Sequence, residues 1–293
     1  MNTTEMHIPS NKVRDIERYC HSELDSLYGK DEVCMFLRML FEAFLGWDHV
    51  KLLTSKEQTI NQSDLLRFHQ AVEDLKEYRP IQHIIGYTDF CGCRINVDSS
   101  VLIPRPETEE IVEKTVNRLH SNPPKRILDL CTGSGCIAIA LAKQWPGAEV
   151  TAVDISEKAL GKARENGLRN DVKINWQQMD VLSIHKPVFL NHFDLIVSNP
   201  PYIMELEKRE MRRNVTDWEP SEALFVPDED PLVFYSASAK IAKKNLAKEG
   251  IIVLEINENL GIETCMLLES EGFTAKIEKD FRGKERCVLG VWA

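Results

Sequence analysis

The feature that most restricts the fold is an alternation of two periodicities that begins at Arg126. Apolar runs at 126–130, 149–153, 173–178, 193–197 and 250–255 read as strands, the second ending at Asp154. The stretches 135–144, 156–166, 231–246 and 261–271 carry helical spacing. Two further runs, 276–280 and 286–292, read as a closing pair of strands. This order predicts an α/β, doubly wound sheet with parallel strands and an antiparallel element at its end. A strand buried on both faces has to be apolar almost throughout, and Phe193-Asp194-Leu195-Ile196-Val197 is such a run. It stops before Asn199-Pro200-Pro201-Tyr202, because neither proline can donate to a ladder and each fixes its own φ. An amide, two donor-free backbone units and a ring therefore meet at the carboxyl end of a buried strand. In open α/β sheets that edge binds ligands.

Such a cluster suits a planar group bearing an NH2. The Asn199 side-chain oxygen can accept one hydrogen and the Pro200 carbonyl the other, while the prolines add no competing N–H. Tyr202 offers a flat face for stacking. A second site is expected at Asp129-Leu130-Cys131-Thr132-Gly133-Ser134-Gly135, between a strand and a helix. Gly133 and Gly135 allow close backbone approach, and the helix N-terminus adds N–H groups. Asp154 follows Gly135 by 19 residues and can hydrogen-bond both hydroxyls of a ribose. The pattern predicts an adenosine-containing cofactor. Gly133-x-Gly135-x-x-Ala138 also fits a dinucleotide fingerprint, so NAD stays open on these residues. Asp180, after the third strand, is placed to meet an adenine amino group. Asn199 to Tyr202 tips the choice, because methyl transfer to an NH2 needs an amide clamp there and hydride transfer does not.

The first part of the chain is of another kind. Helical spacing runs over 11–28, closed by Gly29, and over 31–45, capped by Asp31 and ended by Gly46. A third helix opens at Ser63 or Asp64 and reaches Tyr78, with one or two short helices over 51–60. Met35 and Met39 read as core filler. Residues 1–78 are thus expected to form a small helical domain. Residues 79–104 form a linker with a β-hairpin over 88–97, and residues 105–293 the α/β domain. Cys91-Gly92-Cys93 lies in the hairpin without a second ligand pair at zinc spacing, so no metal is expected. Residues 102–109 lead into a helix to about 119, and Arg105, held between Pro104 and Pro106, is suited to point into a site.

Charge excludes some function classes. Residues 1–78 hold 9 Lys+Arg against 14 Asp+Glu, and the other 215 hold 27 against 32, so each part carries −5 of the total −10. Neither part is basic overall, which argues against a surface that grips nucleic acid by counterion release and leaves a local basic groove as the one route to it. No apolar run approaches the roughly 20 residues of a membrane span. Residues 1–5 lack the marks of a signal peptide, and the eight cysteines are then expected as reduced thiols in the cytoplasm.

Together these residues resemble the HemK/PrmC family, the methyltransferases that modify the glutamine of the Gly-Gly-Gln motif in class 1 peptide-chain release factors. The resemblance covers nearly the whole chain: 80–86, 102–109, 129–138, 193–203, Glu219-Pro220 with Ala223-Leu224, Leu254-Glu255-Ile256, and Lys279-Asp280 with Gly283-Lys284 and Arg286. The Ile-Pro-Arg-Pro-Glu-Thr-Glu stretch is its narrowest mark. The family implies S-adenosylmethionine as methyl donor, S-adenosylhomocysteine as product, a Rossmann-like catalytic domain and an N-terminal domain that recognises the substrate. By position, Cys131, Thr132, Gly133, Ser134 and Gly135 would lie near the methionine part of the cofactor. Asp154 would take the ribose, the Asp180-Val181 pair would flank adenine, and Asn199, Pro200, Pro201 and Tyr202 would hold the glutamine amide. The chain departs from the family at Cys131, where Gly is usual and a cysteine is tolerable at negative φ. It also departs at Asn257 and Leu260, where Ile-Gly and then Gln are frequent, and at Phe225-Val226-Pro227 in place of a Gly-rich turn. Three alternatives remain at this point: a glutamine methyltransferase of a ribosomal protein, an adenine-amino DNA methyltransferase, and a non-catalytic module that retains the cofactor fold.

Overall fold

The computed structural model describes residues 10–183, 189 and 192–292, so the reading of residues 1–5 lies outside it. The chain forms two compact units, one reaching Gly86 and including Arg213–Trp218, the other comprising Tyr87–Arg212 and the residues from Glu219.

The first unit is helical. Helix α1 (Val13–Tyr28) buries Val13, Ile16, Tyr19, Cys20 and Leu24, the three-and-four spacing of one helix face. Gly29, at φ 83°, closes α1 and caps α2 (Lys30–Leu45). Asp31 therefore does not cap α2, contrary to expectation; it sits in the first turn, where its charge favours the positive helix end. Helix α3 (His49–Thr54) is capped by Asp48. Helix α4 (Gln62–Lys76) opens before Ser63, because the Asn61 side chain accepts the Asp64 N–H at 2.8 Å. Helix α5 (Ile81–Ile85) follows. Phe41 and Phe68 centre the core, their rings 4.5 Å apart. Met39 packs against this core, but Met35 is 46% exposed and fills nothing. Trp218 donates its indole N–H to the Glu77 carbonyl (3.1 Å) within this unit.

The second unit begins with a hairpin, β1 (Tyr87–Phe90) and β2 (Cys93–Asn96). Its two turn residues, Cys91 and Gly92, are both left-handed, as a two-residue turn matched to strand twist requires. Then come α6 (Pro106–Leu119), β3 (Arg126–Leu130), α7 (Cys136–Gln144), β4 (Glu149–Asp154), α8 (Glu157–Arg169), β5 (Asn175–Gln178), β6 (Phe193–Ser198) and β7 (Ile203–Met204). The short α9 (Arg213–Thr216) belongs with the helical unit; β8 (Phe225–Val226), α10 (Val233–Asn245), β9 (Leu246–Glu255), α11 (Gly261–Ser270), β10 (Phe273–Lys279) and β11 (Glu285–Trp292) complete the chain. The main sheet runs β10-β11-β9-β6-β3-β4-β5. Its strands from β9 to β5 are parallel, and β11 is antiparallel to both neighbours. Strand β5 starts at Asn175 rather than 173, and β9 starts at Leu246 rather than 250 because Phe193 pairs with Leu246 before the register shifts.

Strand β6 lies at the middle of this sheet. Leu195 and Val197 enter the core that contains Ile139 of α7, and Ile196 enters the opposite core with Tyr235 and Ala239 of α10. That two-sided burial explains the unbroken apolar run. Asp194 is tolerated because its Oδ2 accepts the N–H groups of Lys125 (2.7 Å) and Arg126 (2.9 Å) at the strand's open end.

Candidate active site

The loop after β3 is held in a tight left-handed course. Cys131, Gly133 and Gly135 have φ of 58°, 55° and 81°. A Cβ on Gly135 would lie 3.0 Å from Trp176 Cη2 and 3.1 Å from Ala163 Cβ, so both conformation and space demand glycine. The expectation that Cys131 sits at negative φ is not met; the residue takes the glycine conformation despite its Cβ. Cys131 lines the cavity between the sheet edge and the loop, and burial, then the nearby Asp154, push its thiol well above the usual thiol range.

Carboxylates organise this loop. Asp129, fully buried, accepts the Thr132 hydroxyl at Oδ2 (2.6 Å), and burial raises its pKa to about 7. Asp154 Oδ2 accepts Gly133 N–H (2.8 Å) and Oδ1 accepts Ser156 N–H (2.9 Å). Burial raises the Asp154 pKa against those two bonds. Each oxygen keeps acceptor capacity toward the cavity that Asp154 lines. Asp180 also lines the cavity, but its carboxylate is engaged by Leu182 N–H (2.9 Å) and the Ser183 hydroxyl, which closes the turn carrying Val181.

Asn199 and Pro201 line the same cavity as the loop, although β6 and β3 contribute them separately. The Asn199 side-chain NH2 donates to Thr108 Oγ1 (3.2 Å), and Thr108 donates to Glu255 Oε2 (2.7 Å). The Tyr202 hydroxyl donates to Glu255 Oε1 (3.2 Å). Glu255 is 3% exposed, and burial raises its pKa to about 7 against those two donors. Burial and the Glu255 carboxyl push the Tyr202 phenol well above its ordinary value. The Tyr202 carbonyl accepts from Asn257 Nδ2 (3.3 Å), which also reaches Glu207 Oε2 (3.0 Å). The departure at Asn257 thus braces the segment after the prolines.

Two comparisons with known proteins bear on this geometry. Residues 112–216 match the family model described as methyltransferase small domain, and residues 24–86 match the PrmC N-terminal domain. The release factor glutamine methyltransferase of Flavobacterium psychrophilum is 42% identical over 270 residues, covering 90% of this chain and 94% of its own. That of Bacteroides thetaiotaomicron is 40% identical, covering 92% and 97%, and that of Clostridium acetobutylicum 35% identical, covering 91% and 92%. The chain belongs to the release factor glutamine methyltransferases. In this member of the family the cavity gathers Cys131, Thr132, Gly133, Ser134, Asp154, Asp180, Val181, Asn199 and Pro201. Gly135, Pro200 and Tyr202 are chain neighbours of that lining.

Arg105, expected to point into a site, is not among the residues that line the cavity. It pairs through Nη2 with Glu219 Oε1 (2.5 Å), and Glu219 Oε2 accepts the Ile103 N–H (3.0 Å). Glu219 is almost wholly buried, so the guanidinium serves as its counter-ion and anchors the approach to α6. Thr108 and Glu255 were not singled out from the sequence as site residues. The signal was their place in two of the motifs that carry the family resemblance, whereas their contact spans 147 residues. Among the described residues no group of three His, Cys, Asp or Glu side chains could hold a metal ion.

Proposed function

We propose that this chain methylates the side-chain nitrogen of the glutamine in the Gly-Gly-Gln motif of class 1 peptide-chain release factors, with S-adenosylmethionine as donor. The observation that carries the reading is the shared cavity. Asn199, an acceptor for an amide NH2, opens onto the same space as Asp154 and the left-handed loop of Cys131 to Gly133. The donor set fits the cofactor: Asp154 retains acceptors for two ribose hydroxyls, and the loop admits close approach. Asp154, the 131–135 loop and the Asp180-Val181 pair are the residues that would hold it. When bound, S-adenosylmethionine supplies an electrophilic methyl group on a sulfonium.

The chain's own residues then have to orient a poor nucleophile. An amide nitrogen has a delocalised lone pair. Hydrogen bonds accepted by the Asn199 oxygen and the Pro200 carbonyl would fix the nitrogen toward the methyl and favour the positive charge that grows on it. Tyr202, tied to Glu255, keeps the segment after the prolines in place. The helical unit is the part assigned to recognition of the release factor, and the reaction belongs in the cytoplasm, where release factors work.

Asn199→Ala tests this reading. Methyl transfer to a purified release factor is expected to fall at least about 10²–10³-fold, on the scale of one lost charge-stabilising contact. Cofactor affinity by titration should remain within a few-fold of wild type. Near-wild-type transfer by the variant would sink the assignment.

A further inference from the structure

We propose that Glu255 sets which way the Asn199 carboxamide faces: acting through Thr108, it holds the side-chain NH2 inward and turns the side-chain oxygen toward the acceptor amide. The proposal rests on the methyltransferase reading and adds a positioning residue to it.

The argument is one of hydrogen counting. An ionised carboxylate only accepts, and a threonine hydroxyl has one hydrogen. Thr108 gives that hydrogen to Glu255 Oε2 at 2.7 Å, in a place where both side chains are buried. The same hydroxyl can then offer Asn199 only a lone pair. The Asn199 group that meets it at 3.2 Å must be the NH2. A flipped carboxamide would set the half-buried Asn199 oxygen against the buried Thr108 oxygen with no hydrogen between them, which is unfavourable for polar groups shielded from water. Tyr202 spends its own hydroxyl hydrogen on Glu255 Oε1. One carboxylate therefore fixes the direction of the bonds behind both the asparagine and the tyrosine of the Asn-Pro-Pro-Tyr element.

The direction depends on the charge of Glu255. A protonated Glu255 could donate to Thr108, freeing the threonine hydrogen to donate to the Asn199 oxygen and so invert the clamp. The groups facing Glu255 are Tyr202 from the segment before β7, Tyr235 from α10, Glu107 from α6, and Arg286 and Cys287 from β11. Burial outweighs Arg286, and Glu107 adds to it, so the pKa stands at about 7. The competent form is the ionised one, so the clamp is expected to fail as pH falls through that value. Asp129 titrates in the same window at the cofactor loop, so its contribution is read separately as the pH dependence of cofactor affinity.

The test measures methyl transfer to a purified release factor, cofactor affinity and thermal melting for wild type, Asn199→Ala, Thr108→Val, Thr108→Ser and Glu255→Gln. Thr108→Val, nearly isosteric but without the hydroxyl, is expected to lose about 10–100-fold in kcat with cofactor Kd little changed and a modestly lowered melting temperature, because Glu255 Oε2 loses a buried donor. Thr108→Ser should recover most of that loss. Glu255→Gln, which can present either end of its amide to Thr108, should lose about tenfold in kcat and also lose the acid limb of the kcat profile near pH 7. If Asn199→Ala is inactive but Thr108→Val and Glu255→Gln keep wild-type kcat and the wild-type acid limb, the relay is overturned and the methyltransferase reading stands. If Asn199→Ala itself transfers methyl at the wild-type rate, both fall.

Discussion

Gly135 should be the least replaceable residue of the loop after β3, and the structure says by how much. Its φ of 81° is a conformation in which a Cβ costs about 1–2 kcal/mol. The added methyl would also stand 3.0 Å from Trp176 Cη2 and 3.1 Å from Ala163 Cβ, closer than ordinary contact. Crowding of this kind adds about 1–3 kcal/mol. Gly135→Ala is therefore expected to lose about 2–5 kcal/mol. Gly133 is the internal control. Its φ is 55°, but a Cβ there would meet nothing within 4 Å, so Gly133→Ala should lose only the conformational part, about 1–2 kcal/mol. Urea unfolding of both variants beside wild type measures the difference. Trp176→Phe, which removes the crowding ring atoms, should recover part of the loss in the Gly135→Ala background while only destabilising the wild type. Equal stabilities for Gly133→Ala and Gly135→Ala, or no recovery on shrinking Trp176, would refute the steric part of the reasoning.

Three further outcomes follow from single contacts. Cys131→Gly should be more stable than Cys131→Ala by about 1 kcal/mol in urea unfolding, because both remove the thiol but only glycine accepts φ 58° without strain; equal stabilities would contradict the left-handed assignment. Asp129 has a folded pKa near 7, above its ordinary 3.8, so its contribution to stability is fully present below about pH 4 and lost as pH rises through 7. Asp129→Asn should thus gain on wild type between pH 4 and 8 in paired unfolding curves, and a flat difference would contradict the buried-acid assignment. Arg105→Ala strands the buried Glu219 carboxylate; with the guanidinium side chain 32% exposed, the loss should be about 2 kcal/mol, under the roughly 3–5 of a fully buried pair. Adding Glu219→Gln should restore most of that stability, and failure to do so would mean the charge is not what matters.

What could be read from the chain beforehand was whatever depends on near neighbours. The apolar run before Asn199 announced a buried central strand, because period and flanking prolines are local properties. The tight turn at Gly133 and Gly135, with Asp154 closing the next strand, was legible for the same reason. What escaped was set by distance along the chain. Arg105 looked free to enter a site because its partner, Glu219, lies 114 residues away. Glu255 looked like the polar end of a strand because Thr108 lies 147 residues away. Asp31 lost the cap of α2 to Gly29, since α1 and α2 are joined by that single residue and no room remains for a side-chain cap. The φ of Cys131 could not be inferred from its identity, because the fold imposes on it a conformation that cysteine does not favour.

The most direct measurement is where the methyl group goes. The protein, incubated with isotopically labelled S-adenosylmethionine and, in separate reactions, a class 1 release factor, ribosomal proteins and DNA, is expected to label one position only. Mass spectrometry should place a single methyl on the glutamine of the Gly-Gly-Gln motif, and Asn199→Ala should abolish it. Label on a ribosomal protein or on adenine, with the release factor left unmodified, would contradict the account.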